Sequence, residues 1–250
     1  MLGVKGMRNI FGIEILKLKN SKALWIVTLA PIFMVVQGAL NLMRYYDLFT
    51  GQGQNVWEQL YSQSMIFYVS ILLPILISIV MTLIARIENT NNNWKHYLSL
   101  PIDKEKVYGI KFIIGCMLIF INILVLISSI IIAGKILGIE ESIPYMDLLT
   151  KPMATYIAAF PIMAILYVSS IGFAHMAIPL GIGIGLTLPA MIVANSKFWI
   201  FYPWTYPIMA ALGGDMEIFN KGNIIYIVSP MLLILVFSFG YNRFLKRDII

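Results

Sequence analysis

Charge is scarce in this sequence. Lys, Arg, Asp and Glu together make up 12% of it, about half the share usual in soluble domains. From Pro152 to Ser196 there is none of the four. A globule this poor in charge has no way to cover itself with a wettable surface, so lipid must be the solvent over much of the chain. Cysteine is down to one, Cys116, inside an apolar run, which excludes an intramolecular disulfide and leaves the redox compartment unread. The two histidines, His96 and His175, have no cysteine or carboxylate at ligand spacing, and H-E-x-x-H is absent, so no bound metal is expected. No G-x-x-x-x-G-K-[ST] occurs, so the chain is not expected to cradle ATP by itself. No cleavable signal peptide is expected either, because the N-terminal basic residues continue through the stretch that should be apolar.

What is present is long apolar runs, 60% of the residues being hydrophobic. A helix crossing roughly 30 Å of hydrocarbon needs about 20 apolar residues. Six runs meet or approach that length, at 23–43, 65–85, 112–134, 153–171, 176–194 and 224–244. The fourth and fifth come from splitting the charge-free stretch near Gly172–His175. The runs are continuously apolar, whereas barrel strands would alternate over about ten residues. The expected fold is all-α: one membrane domain over 1–250, an integral membrane bundle of six transmembrane helices preceded by an interfacial amphipathic helix at 1–22. Prolines 31, 74, 161, 179, 189 and 230 should kink or end helices locally.

The formal charge of +6 points to membrane orientation and not to nucleic acid. Six crossings put both termini on one side. Thirteen of the eighteen Lys and Arg residues fall on that side, in the N-terminal segment, the loop between spans two and three, and the C-terminus. The positive-inside rule makes that side cytoplasmic. Acidic residues lean to the opposite face, with Asp47, Glu58, Glu140, Glu141, Asp147, Asp215 and Glu217 outside.

Before the first span, Met7, Ile10, Phe11, Ile15 and Leu18 recur at helical steps while Arg8, Lys17 and Lys19 lie off that stripe. The pattern fits a helix lying in the interface, and it also fits a solvated basic anchor. After the fifth span, Trp199, Phe201, Tyr202, Trp204 and Tyr206 crowd into eight positions. Trp and Tyr gather at membrane interfaces, so an aromatic belt at the outer leaflet is the first reading, and a short helix dipping back to line a substrate path is the second. Gly181, Gly183 and Gly185 read as a place for helices to approach closely rather than as a nucleotide motif. The spans are expected to lack interior charge, which ion-coupled carriers normally need at the midplane. An active transporter of this composition would need an engine supplied by a partner.

The most polar stretch, ENTNNNWKHYLSLPIDKEKVYGIKF from Glu88 to Phe112, lies between spans two and three. Its asparagines break the second helix at the membrane surface. Trp94 to Leu100 can then form two helical turns that Pro101 ends, with Asp103 as N-cap of a third helix beginning near Lys104. A merely solvated connector has no use for Trp94, Leu98 and Leu100; a partner does.

These residues resemble the ABC transporter type-2 permeases, and among them the lantibiotic-immunity or antibiotic-efflux subunits. The resemblance rests on Glu88, Trp94-Lys95, Leu98, Leu100-Pro101 and Lys111-Phe112, and on Glu14 with Lys17 ahead of a basic patch and Trp25. It implies that the loop docks into a groove on a separate ATPase subunit. ATP-driven closure of that subunit would push the spans between inward- and outward-facing arrangements. ATP and Mg would sit on the partner. The resemblance further implies a second permease chain, sister or identical, and a re-entrant pair of short helices within Asn195–Gly222, placing Trp199, Tyr202, Trp204 and Tyr206 beside a substrate path. On this reading the chain sits in a bacterial cell membrane, is not an enzyme, and exports an amphipathic bacteriocin-like peptide for self-immunity or antibiotic resistance. The competing reading is an integral membrane enzyme or a sensor without transport. Glu140-Glu141 resembles the glutamate pair of intramembrane CAAX-type proteases, but the arginine and the span histidines those need are missing.

Overall fold

The computed structural model describes residues 11–18, 21–51, 53–89, 104–173, 175–213, 219 and 222–246, with backbone alone at 86–89. Among them there is no β-strand. Residues 11–18 are helical (α1). Then come α2 (Ala23–Arg44), the short α3 (Tyr46–Thr50), and α4 (Val56–Phe67), which continues through a π-helical turn (Tyr68–Leu72) into α5 (Leu73–Asn89). They are followed by α6 (Lys104–Ile136), α7 (Tyr145–Ala158), α8 (Phe160–Gly172), α9 (Ala177–Thr187), α10 (Ala190–Ala194), α11 (Tyr206–Leu212) and α12 (Ile225–Leu245).

Among the described residues five runs are long and apolar enough to cross a membrane: Ala23–Arg44, Val56–Ala85, Lys104–Ile136, Tyr145–Gly172 and Gly222–Leu245. The span expected at 176–194 is not one of them. It is broken into α9 and α10 at Leu188-Pro189. Pro189 offers no N–H to the carbonyl of Gly185 and its ring crowds that turn, while Gly181, Gly183 and Gly185 each weaken the helix by about 1 kcal/mol relative to alanine. Six crossings therefore require α9 and α10 to traverse the membrane as one broken element. Elsewhere helices outrun their apolar runs. The second starts at Val56 rather than Met65, because the Asn55 side chain accepts hydrogen bonds from the backbone N–H groups of Trp57 and Glu58 and caps the helix well before the apolar stretch.

The bundle packs α2 against α4 and α6, α5 against α8 and α9, and α12 against α7 and α8. Several helix approaches leave no room for a side chain beyond hydrogen, among them those at Gly38, Gly183, Gly134 (against Trp57) and Gly240 (against Val168). A Cβ on Gly38 would meet the Ser64 backbone at 2.7 Å, and one on Gly183 would run into Ser78 Oγ. Of the three glycines in α9 only Gly183 serves a helix contact; Gly181 and Gly185 have nothing within 4 Å.

Two prolines are matched by polar side chains on neighbouring helices. Pro31 leaves the Val27 carbonyl without its intrahelical donor. Asn122 of α6 supplies one, Nδ2 donating to Val27 O at 2.6 Å, while Asn122 Oδ1 accepts from the Tyr68 hydroxyl at 2.5 Å. Pro161 likewise frees the Ile157 carbonyl, and Ser229 of α12 donates to it at 2.6 Å. In lipid, where no water replaces a lost donor, such side chains let a helix carry proline.

Candidate functional site

The face of α1 turned to the bundle is Phe11, Glu14 and Leu18. Glu14 and Leu18 are buried, and Phe11 packs against the core. Glu14 stands in the middle of this face because Lys111 is opposite. Glu14 Oε2 lies 2.6 Å from Lys111 Nζ, and Oε1 lies 2.7 Å from Lys17 Nζ one helical turn on. Lys111 is 0% exposed. Burial presses the Glu14 carboxyl upward. The charges and hydrogen bonds of Lys111 and Lys17 outweigh that and hold it below the ordinary carboxylate value.

Two expectations change here. The helix begins at Lys104, as expected from the sequence, but Lys111, counted there among the cytoplasmic loop charges at the mouth of the third span, is buried seven residues into α6, about 10 Å along the axis. The bundle is thus not free of interior charge. The stripe expected on the N-terminal helix is also only partly present: Ile15 is exposed, together with Ile13 and Leu16, and Met7 and Ile10 lie outside the described residues. The signal for both buried charges is in the sequence. Glu14 occupies the 11–14–18 stripe and Lys111 the 107–111–114–118 stripe, each a lone charge among apolar residues, of opposite sign.

The same end of α6 carries an aromatic cluster. The Tyr108 ring lies 5.0 Å from Tyr167 of α8 and 5.3 Å from Phe244 of α12, and Phe112 lies 4.9 Å from Phe237. The first turns of α6 are thereby fixed to α1 on one side and to α8 and α12 on the other.

Of the loop residues singled out, Glu88 is on the last turn of α5. Trp94, Lys95, Leu98, Leu100 and Pro101 lie outside the described residues. α5 ends at Asn89 and α6 begins at Lys104, so the loop joins α6 a few residues before Lys111.

At the opposite end, the aromatic segment divides. Phe198 and Phe201 face outward, 72% and 82% exposed, while Trp204 and Tyr206 are buried. Trp199 and Tyr202 are half-buried. Tyr202 donates to the Leu186 carbonyl at 2.7 Å, near the break between α9 and α10. Tyr206 donates to the Ile200 carbonyl, and Thr205 Oγ1 to those of Trp199 and Tyr202 at 2.9 and 2.8 Å. These bonds fold the segment onto itself. Every residue of α11 is buried; α11 packs on α7 and α4, where the Tyr61 hydroxyl donates to the Ala211 carbonyl at 3.2 Å. A belt alone does not describe this arrangement: two rings belong to the interior. The roles of Asn122, Tyr61 and Ser229 as donors to particular carbonyls escape sequence reasoning, since nothing in a sequence pairs a side chain with a carbonyl on another helix.

Five long apolar helices, a proline-broken sixth element and an ion-paired N-terminal helix define a multi-pass helical membrane protein. A family model described as ABC-2 family transporter protein matches residues 10–190, from the start of α1 to the first residue of α10. The chain belongs to the ABC-2 transporter family and is a membrane permease subunit of an ABC transporter, which implies an ABC ATPase partner. No curated protein matches the chain. The aromatic segment and α12 lie beyond the matched residues.

Proposed function

We propose that the chain is the permease of an exporter that expels a lantibiotic or similar amphipathic antimicrobial peptide from a bacterial cell membrane, with both termini cytoplasmic and a second permease chain, sister or identical, completing the pathway. ATP and Mg bind the partner ATPase. The residues from Glu88 to Pro101 dock into it, Trp94, Leu98 and Leu100 making the apolar contact.

The observation that carries this reading is the distribution of charge. Among the described residues the only buried ionised side chains are Glu14 and Lys111, already matched to one another at the α1 end. A pathway lined without fixed charge suits an amphiphile better than a small ion, and it leaves no midplane site for a coupling ion. At the outer end the half-buried Trp199 and Tyr202 are the rings an amphiphile would pass, with the buried Trp204 and Tyr206 packed behind them.

Expression with the partner ATPase in a sensitive host should raise the concentration of a cationic lantibiotic that stops growth, and an ATPase lacking its P-loop lysine should abolish the gain. Trp94→Ala and Pro101→Ala should weaken co-purification of the ATPase while membrane insertion stays intact. Wild-type association of both variants would remove the docking assignment. Unchanged tolerance with an intact complex would remove the peptide substrate.

A further inference from the structure

Along the outward side of α2 runs a groove of about 670 Å3. Trp25, Leu29, Ala30 and Phe33 line it, with Lys22 at one end and Leu72, the last residue of the π turn, against its wall. Ala30 makes the concavity: it is a short side chain between the larger ones of Leu29 and Phe33. From Lys22 to Phe33 is about 16 Å along the helix axis, close to half of the roughly 30 Å hydrocarbon layer. The groove therefore has the length of one leaflet and is apolar along its course. It ends in the ammonium of Lys22 at the N-terminal end of α2, where a crossing helix would meet the headgroups. Trp25, 68% exposed, stands next to that ammonium, where indole rings settle at the interface. Among the described residues no carboxylate is paired with Lys22, and its side chain is not used to cap α2.

We propose that this groove is a binding site for one phospholipid with an anionic headgroup, its phosphate on Lys22 and an acyl chain along Leu29, Ala30 and Phe33. The site does not depend on what the permease exports. Charge complementarity selects the occupant: a zwitterionic lipid offers the groove the same acyl chain, but its own cation opposes Lys22.

The full-length chain in vesicles containing dibrominated phosphatidylglycerol or dibrominated phosphatidylcholine at matched mole fractions tests this. The fluorescence difference between wild type and Trp25→Phe isolates Trp25. Its quenching should reach half-maximum at about fivefold less brominated phosphatidylglycerol than phosphatidylcholine, the preference expected of one lysine at a lipid surface. Lys22→Gln should erase the preference and Lys22→Arg should keep it, with helical content and insertion unchanged in both. Equal quenching by the two lipids in wild type, or a preference surviving in Lys22→Gln, would overturn the site. So would absence of Trp25 quenching by either lipid together with disulfide cross-linking between two Leu29→Cys chains, which would put a second copy on this face.

Discussion

Glu14 and Lys111 are 97 residues apart in sequence and each is costly to bury alone. Leaving one charge without the other is destabilising by about 3–5 kcal/mol. Glu14→Gln should lower the thermal midpoint of the detergent-solubilised protein accordingly, and Glu14→Lys combined with Lys111→Glu should recover part of the loss. Recovery no better than either single change would mean that the contact does not couple the two helices. The acid limb has a definite sign. The Glu14 carboxyl titrates below its ordinary value of 4.5, so its contribution is fully present above that pH and is lost as pH falls through the lowered value. A melting profile from neutral pH down to pH 3 should drop in wild type and flatten in Glu14→Gln. Both residues were legible as members of motifs. That they form one pair was not, because hydropathy assigns a lysine near a span end to the water side.

Among the elements, the proline-bearing helices are the most informative. Asn122→Leu takes the donor from Val27 O and the acceptor from Tyr68, at a cost of about 1–2 kcal/mol. In a Pro31→Ala background the cost should shrink, because the alanine restores an intrahelical N–H for the Val27 carbonyl. A double-mutant cycle read by thermal unfolding decides it; equal costs in both backgrounds would separate Asn122 from Pro31. Gly183→Val places side-chain atoms where Ser78 Oγ already stands and should prise α9 from α5. The prolines themselves were evident from sequence. Their consequences divide: Pro31 stays inside the unbroken α2, where Asn122 answers it, whereas Pro161 sits in the first turn of α8 just after α7 ends and Pro189 follows three glycines where α9 ends. Element type could be read from composition. Whether a break is mended depends on a side chain from a distant helix.

For the whole molecule the open quantity is how often the chain crosses. Six crossings put His175 on the side of the termini and Lys197 on the other. In a Cys116→Ser background, His175→Cys should react with an impermeant thiol reagent only when the cytoplasmic face is exposed, and Lys197→Cys only from outside. Labelling of both from one side would mean that α9 and α10 enter and leave by the same face, giving five crossings. The sequence carried the helical class, the charge asymmetry and the family on its motifs. It leaves open whether the segment at 195–222 is a surface belt or folds back inside, as α11 does, since aromatic density looks alike whether rings face lipid or a neighbouring helix.

The bond between α1 and α6 also sets an order on biogenesis. α1 is synthesised before α6 and must stay at the membrane surface until Lys111 emerges, because a buried lysine without its counter-charge is costly. A chain truncated before Leu18 would then lose more than an anchor: α6 would meet the translocon carrying an unanswered cation, and the cell's quality-control proteases would receive the product before any ATPase did.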